Sequence, residues 1–342
     1  MSGIIKFKHY FLNLILIWAA IAIYKSTSYY LTFLRSETQT ILLYLAIAYT
    51  ILGFLFYLLT PENKIKKSKG VIIFYAIARI SEGTIKYFKS KKTPDKKPFP
   101  KLEKQEKTAL LFVFVKFFFL PIMLNFFLNN YFALKSNVHT LTDLSTLFTI
   151  QGFNFILFPF LLASIFFIDT LWFAFGYAFE ATLLKNTIRS VEPTFIGWFV
   201  ALICYPPFNG TLTKYINWYA NDYVLFFNDT ITFIARIIVI LLLSIYVSAT
   251  LALGAKSSNL TNRGIVTRGP YSIIRHPAYI SKNLAWWITV IPVISWPAIL
   301  SAGVWSFIYH MRTITEERHL SQDPDYIEYK KKVKYRYIPR VY

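Results

Sequence analysis

Cysteine is almost missing from this chain: Cys204 is the only one in 342 residues. That excludes a disulfide framework and a cysteine-built metal site. Placed in an apolar run, it reads as a small buried residue. Histidine is scarce too, and the five at 9, 139, 276, 310 and 319 show no His-Glu-x-x-His spacing, so no metal is expected. Acidic residues number 17 against 37 basic ones, a net charge of +20. That surplus invites a nucleic-acid reading, but the basic residues fall in short segments between apolar runs. There they set topology and hold anionic headgroups. No recognition motif accompanies them, so no nucleic-acid partner is expected. Charge of any sign is low at 16%, while 55% of the residues are hydrophobic and 19% aromatic. A soluble chain of this length carries more charge. Several apolar runs reach or approach the roughly 20 residues a spanning helix needs. The fold class is therefore all-α, a polytopic membrane helical bundle.

In chain order, Lys6, Lys8 and His9 precede an apolar run at 10–24. No small-x-small cleavage site follows, which favours an uncleaved span over a signal peptide. Further spans are expected near 40–59, 109–128, 147–179, 195–205 and 224–253. Between the second and third, residues 61–108 form a long lysine-rich loop, cytoplasmic by its charge. Its centre at 71–88 is amphipathic and suited to a membrane surface. Asp169, Glu180, Asp229 and Arg236 lie in or beside apolar runs. Ionisable groups at that depth are functional candidates; interfacial placement or packing between helices is the alternative for each. An N-terminal membrane region with the basic loop (1–150) and a catalytic core (151–342) make up the expected organisation, with about six spans in all.

The apolar stretch from Leu284 to Met311 is interrupted by Pro292 and Pro297. Each half is short for a full crossing, so a proline-bounded helical hairpin is expected. A hairpin returns its exit to its entry side. It therefore brings the polar stretch 264–283 (GIVTRGPYSIIRHPAYISKN) to the same face as Arg312–His319, and with a cytoplasmic N-terminus that face is cytosolic. The tail from Asp323-Pro324 onward reads as a charged helix start with a basic, tyrosine-rich end.

These two stretches hold the candidate site. Arg275 presents a fixed fork suited to a carboxylate or phosphate. His276-Pro277 stops the preceding backbone from being helical and fixes where the next helix starts. Tyr271 and Tyr279 offer flat apolar faces with a hydroxyl. Glu316 and Glu317 can bind a ribose diol or an ammonium group, and Arg312, one turn before Glu316, can pair with it. A ligand with carboxylate, ammonium, ribose and adenine parts would engage all of them. S-adenosylmethionine is one such molecule, and a nicotinamide dinucleotide is another.

The order Gly269-Pro270-Tyr271-x-x-x-Arg275-His276-Pro277-x-Tyr279, a hairpin, Arg312, Glu316-Glu317 and Tyr326-x-x-Tyr329-x-x-x-Val333 resembles the isoprenylcysteine carboxyl methyltransferase family. That family is in turn similar to the phospholipid methyltransferases. The resemblance covers about 264–339 and fades before about residue 150. It implies a membrane enzyme that uses S-adenosylmethionine from the cytosolic side to methylate a carboxyl or amine of a lipid-like or prenylated acceptor. It also implies cofactor contacts at Gly269, Pro270, Tyr271, Arg275, His276, Pro277, Tyr279, Glu316 and Glu317, with Arg312 and Glu316 as catalytic candidates. An amine acceptor would need a base, Glu316 or His276; a carboxylate would not. Two readings compete with this one. The tail 334–342 (KYRYIPRVY) resembles the end of sterol reductases, which use NADPH. A non-catalytic lipid-binding or transporter-like protein would instead make use of the ionisable residues at membrane depth.

Overall fold

The computed structural model describes residues 2–61, 68–91, 97–141 and 144–341. Parts of the expected basic loop, at 62–67 and 92–96, and Asp143 lie outside the described residues. The chain divides into two compact units, Met1–Pro121 and Ile122–Tyr342. Among the described residues, five helices are long and apolar enough to cross a membrane: Lys6–Ser26, Ser36–Leu59, Lys104–Val138, Ile150–Ala178 and Asp229–Lys256. Many of their large apolar side chains, Leu52, Leu55, Phe114 and Leu241 among them, face outward. Apolar surface on that scale requires a lipid environment, and the protein is an integral membrane protein.

In the first unit, α1 (Ser2–Ser26) packs against α2 (Ser36–Leu59) and α3 (Lys69–Ser90). Helix α3 is the expected amphipathic segment. Ser68 caps its start, accepting from the Val71 amide. The Gly70 amide donates to Asn13 Oδ1 at 3.0 Å, which seats α3 on α1. Helix α4 (Lys104–Val138) begins in this unit, and Tyr24 of α1 donates to the Phe117 carbonyl at 2.7 Å.

The second unit is built on α5 (Ile150–Ala178), α7 (Asp229–Leu253) and α8 (Pro277–Val290), with the short α6 (Phe195–Leu202) between α5 and α7 in sequence. Phe158, Leu162 and Ile165 of α5 interlock with Val239, Leu243 and Tyr246 of α7 and Ala285 of α8. Asn228 caps α7, so that helix starts at Asp229, five residues later than the hydropathy suggests. It ends at Gly254, whose φ of +53° suits glycine and turns the chain toward the polar segment. Helix α5 passes so close to that turn that a Cβ on Gly176 would lie 2.2 Å from the Ser257 carbonyl oxygen.

The expected span at 195–205 differs. Helix α6 has eight residues, about 12 Å at 1.5 Å per residue, too short to cross a bilayer. Thr194 caps it and two prolines follow at 206–207. Counting crossings therefore does not set the side on which the polar stretches lie.

The hairpin is present. Helix α8 runs from Pro277 with His276 at its N-cap, and α9 (Trp296–Leu320) starts at a Ser295 cap with Pro297 in its first turn. Proline is tolerated there because those amides lack intrahelical partners anyway. Helix α10 (Pro324–Lys332) follows, capped by Asp323. A feature the sequence did not announce closes the polar face: β1 (Ser190–Val191) pairs antiparallel with β2 (Thr261–Asn262).

Candidate functional site

Glu317 is the organising charge of the polar face. Its Oε1 accepts from Arg275 Nε at 2.8 Å and lies 3.1 Å from His276 Nε2, while Arg336 Nη2 donates to Oε2 at 2.9 Å. Glu317 belongs to the polar end of α9, beyond the apolar part. Burial alone would push its carboxyl up. The bonds from His276, Arg336 and Arg275 outweigh that and hold it well below the usual carboxylate range. Arg275 also donates to the Val333 carbonyl at 3.0 Å. The amides of Arg275 and His276 donate to the carbonyls of Tyr335 and Arg336, both at 3.0 Å. The start of α8 is thus laced to the tail.

A cavity of about 210 Å³ opens beside this cluster. Tyr271, Arg275, His276, Tyr279, Arg312 and Glu316, all candidates from the sequence, line it. Gly269, Pro270, Pro277 and Glu317 do not. Gly269 turns the chain with φ +61°, Pro277 starts α8, and Glu317 faces its cations. Arg312 and Glu316 do not pair with each other. The buried Arg312 donates to Asn259 Oδ1 at 2.9 Å and stacks near the rings of Tyr279 and Tyr309, while Glu316 accepts from the Tyr279 hydroxyl at 2.8 Å. Tyr329 donates to the Tyr271 carbonyl at 2.7 Å and holds that loop in place.

Arg263, Glu192 and Tyr326 also line this cavity. All three are almost wholly buried, and each keeps polar atoms without a partner: Arg263 Nε and Nη2, Glu192 Oε2 and the Tyr326 hydroxyl. Arg263 makes one bond, from Nη1 to the Asn186 carbonyl at 3.4 Å. Burial lowers its guanidinium below the ordinary value, outweighing the opposite pull of Tyr177 and Glu180. Glu192 is fixed through its other oxygen by the Thr194 amide and by Arg318 Nη2 at 2.9 Å. Buried polar atoms are normally paired, so a group of unpaired ones around one cavity marks where a polar ligand would complete the structure.

A second cavity, of about 670 Å³, adjoins the first. The two share Phe173, Tyr205, Tyr246, Lys282 and Tyr309. The rest of the outer lining mixes aromatic residues, Phe126, Phe166, Trp218, Trp286 and Trp305, with polar ones, Asn129, Asn130, Thr170, Asn209 and Thr213 among them. Asp169, a candidate from the sequence, faces it and accepts from the Tyr246 and Thr250 hydroxyls, both at 2.6 Å. The other ionisable candidates lie elsewhere. Arg236 is a packing residue: it donates to the Asn154 and Tyr223 carbonyls and covers the Phe158 ring at 4.5 Å. Asp229 sits in the first turn of α7, and Glu180 accepts from the Ile188 amide at 3.1 Å.

The sequence alone assigns no role to Glu192, Asn259 or Arg263. Glu192 reaches the site because β1 pairs with β2, and a two-residue pairing leaves no periodic signal. The one hint was the Val-Glu-Pro-Thr sequence, a carboxylate two residues before a helix cap.

Residues 230–323 match the family model for phospholipid methyltransferase. The matched stretch runs from α7 through the hairpin to the cap of α10, and so carries most of the inner cavity's wall. It bears out the resemblance drawn from the motifs and supports a membrane methyltransferase with lipid substrates. No curated protein and no solved structure matches the chain significantly.

Proposed function

We propose that the protein transfers a methyl group from S-adenosylmethionine, held in the inner cavity, to a lipid-like or prenylated acceptor that enters through the outer one. The observation that carries this reading is the set of unpaired polar atoms on Arg263, Glu192 and Tyr326 around a cavity whose wall comes mostly from the stretch matched by the methyltransferase family, Arg263 itself lying in that stretch. Their chemistry fits the donor: a guanidinium fork for a carboxylate, a carboxylate oxygen for an ammonium, a phenol for a hydroxyl. Glu316 and Tyr271 would hold the nucleoside end. Bound S-adenosylmethionine would supply an electrophilic sulfonium methyl.

The protein's own work is then positioning and exclusion of water. Glu317 orients Arg275 and His276. Tyr279 orients Glu316, and Asn259 fixes Arg312 against the tyrosines of the wall between the cavities. That wall of Tyr205, Tyr246 and Tyr309 is where donor and acceptor would meet. The Lys- and Arg-rich loops favour a cytosolic site in a cytoplasmic or endoplasmic-reticulum-type membrane.

Calorimetric titration of detergent-purified protein with S-adenosylmethionine and, separately, NADPH tests the reading. Saturable binding of the first, weakened by Arg275→Ala, is expected. Binding of NADPH alone would replace it with the reductase, and binding of neither would leave a non-catalytic lipid protein.

A further inference from the structure

The outer cavity holds one lysine. Lys282 lines both cavities, and its ammonium lies 4.7 Å from the Tyr246 ring centroid, 5.4 Å from Trp286 and 5.6 Å from Phe166. Among the described residues its one hydrogen bond is a long one, 3.5 Å to the Tyr246 hydroxyl. An ammonium has three donors, so two remain for something else. Asp169 and Asp222 act on it electrostatically without forming an ion pair. Asp169 is the only carboxylate among the described residues lining the outer cavity, and both its oxygens already accept short bonds. The polar inventory is therefore lopsided: the cavity has no unengaged anion for an ammonium ligand and has a cation with donors to give. The remaining lining is uncharged: Asn129, Asn130, Thr170, Asn209 and Thr213 beside an aromatic part that suits a hydrocarbon tail.

We propose that Lys282 binds the acceptor, and that the acceptor is an amphiphile carrying an anionic oxygen group, a carboxylate or a phosphate, with its apolar part in the outer cavity. This rests on the methyltransferase reading above. Tyr246, whose hydroxyl lies 3.5 Å from the ammonium, acts as a positioning residue that holds Lys282 at the shared wall. An acceptor seated this way has its headgroup beside Tyr205 and Tyr309, next to the donor cavity, and its tail among the tryptophans.

Trp218, Trp286 and Trp305 line the cavity, so its occupancy can be read by intrinsic fluorescence of the full chain in detergent. Dodecanoate, dodecyl phosphate and dodecylamine serve as probes of equal tail length. Saturable binding of one or both anions is expected, weakened on the order of ten-fold in Lys282→Met and restored in Lys282→Arg. The anion that binds more tightly identifies carboxylate or phosphate as the source. Dodecylamine binding as tightly as the anions, or anion binding unaffected by Lys282→Met, would overturn the proposal. S-adenosylmethionine titration of the same samples separates the layers. Retained binding in Lys282→Met shows the inner cavity intact. Anion binding by a wild-type protein that does not take S-adenosylmethionine would remove the methyltransferase reading and leave the anion site standing.

Discussion

The inner and outer cavities share five lining residues but differ in the charged groups they present. Around the inner one, Arg263, Glu192 and Tyr326 are buried with atoms unpaired. Around the outer one, Asp169 is saturated by hydroxyls and Lys282 is cushioned by aromatic rings. Leaving buried polar atoms unpaired destabilises a fold, so the inner wall is arranged for a ligand with several complementary polar groups. The outer wall asks for shape and one charge.

The sharpest break of this contrast is Glu317→Ala. It strips the shared carboxylate from Arg275, His276 and Arg336, leaving the two arginines without their counter-charge at a cost of about 3–5 kcal/mol. A large fall in thermal midpoint with loss of S-adenosylmethionine binding is expected; an unchanged midpoint would show that Glu317 is not the organising charge. The same group predicts an acid limb. Its folded carboxyl is held below its ordinary 4.5, so its stabilisation is complete above that value and is lost as pH falls through the lower folded one. In Glu317→Gln the acid slope of the midpoint should flatten.

Arg263→Met should behave in the opposite sense. The residue is poorly paired in the fold, so the midpoint should hold while affinity for S-adenosylmethionine falls roughly 10- to 100-fold. A collapse of stability with affinity unchanged would make Arg263 structural. On the outer side, Asp169→Asn removes a counter-charge from Lys282 and should strengthen dodecanoate binding roughly five-fold in the fluorescence titration. The smallest effect is expected from Tyr329→Phe, which removes one bond to the Tyr271 carbonyl and about 1 kcal/mol of stability in denaturant titration.

Much of the fold was legible because membrane helices declare themselves by length and composition. The spans expected near 109–128, 147–179 and 224–253 each coincide, to within a few residues at their ends, with a long apolar helix, and the Pro292/Pro297 interruption does mark a hairpin. Helix α6 was misjudged because an apolar run of eleven residues looks the same whether it dips into a bilayer or packs on a protein face. At the site, Arg275-His276-Pro277-x-Tyr279 and Glu316-Glu317 were readable as an ordered motif. Which of two adjacent glutamates faces the cavity was not. Successive residues on a helix point about 100° apart, and only the positions of Arg336 and Tyr279 decide that Glu317 turns inward to cations and Glu316 toward the cavity. Long-range partners such as Asn259 for Arg312 leave no local trace.

The amides of Arg275 and His276 are bonded to the carbonyls of Tyr335 and Arg336, across the whole length of the hairpin in sequence. The entrance and exit of the helix pair are therefore sewn together, and everything chemical in the site hangs from that seam. Which compartment feeds the enzyme is consequently inherited as a single all-or-none trait. A change upstream that added or removed one crossing would deliver the site to the opposite compartment whole, still able to fold around its ligand, but facing a different supply of it.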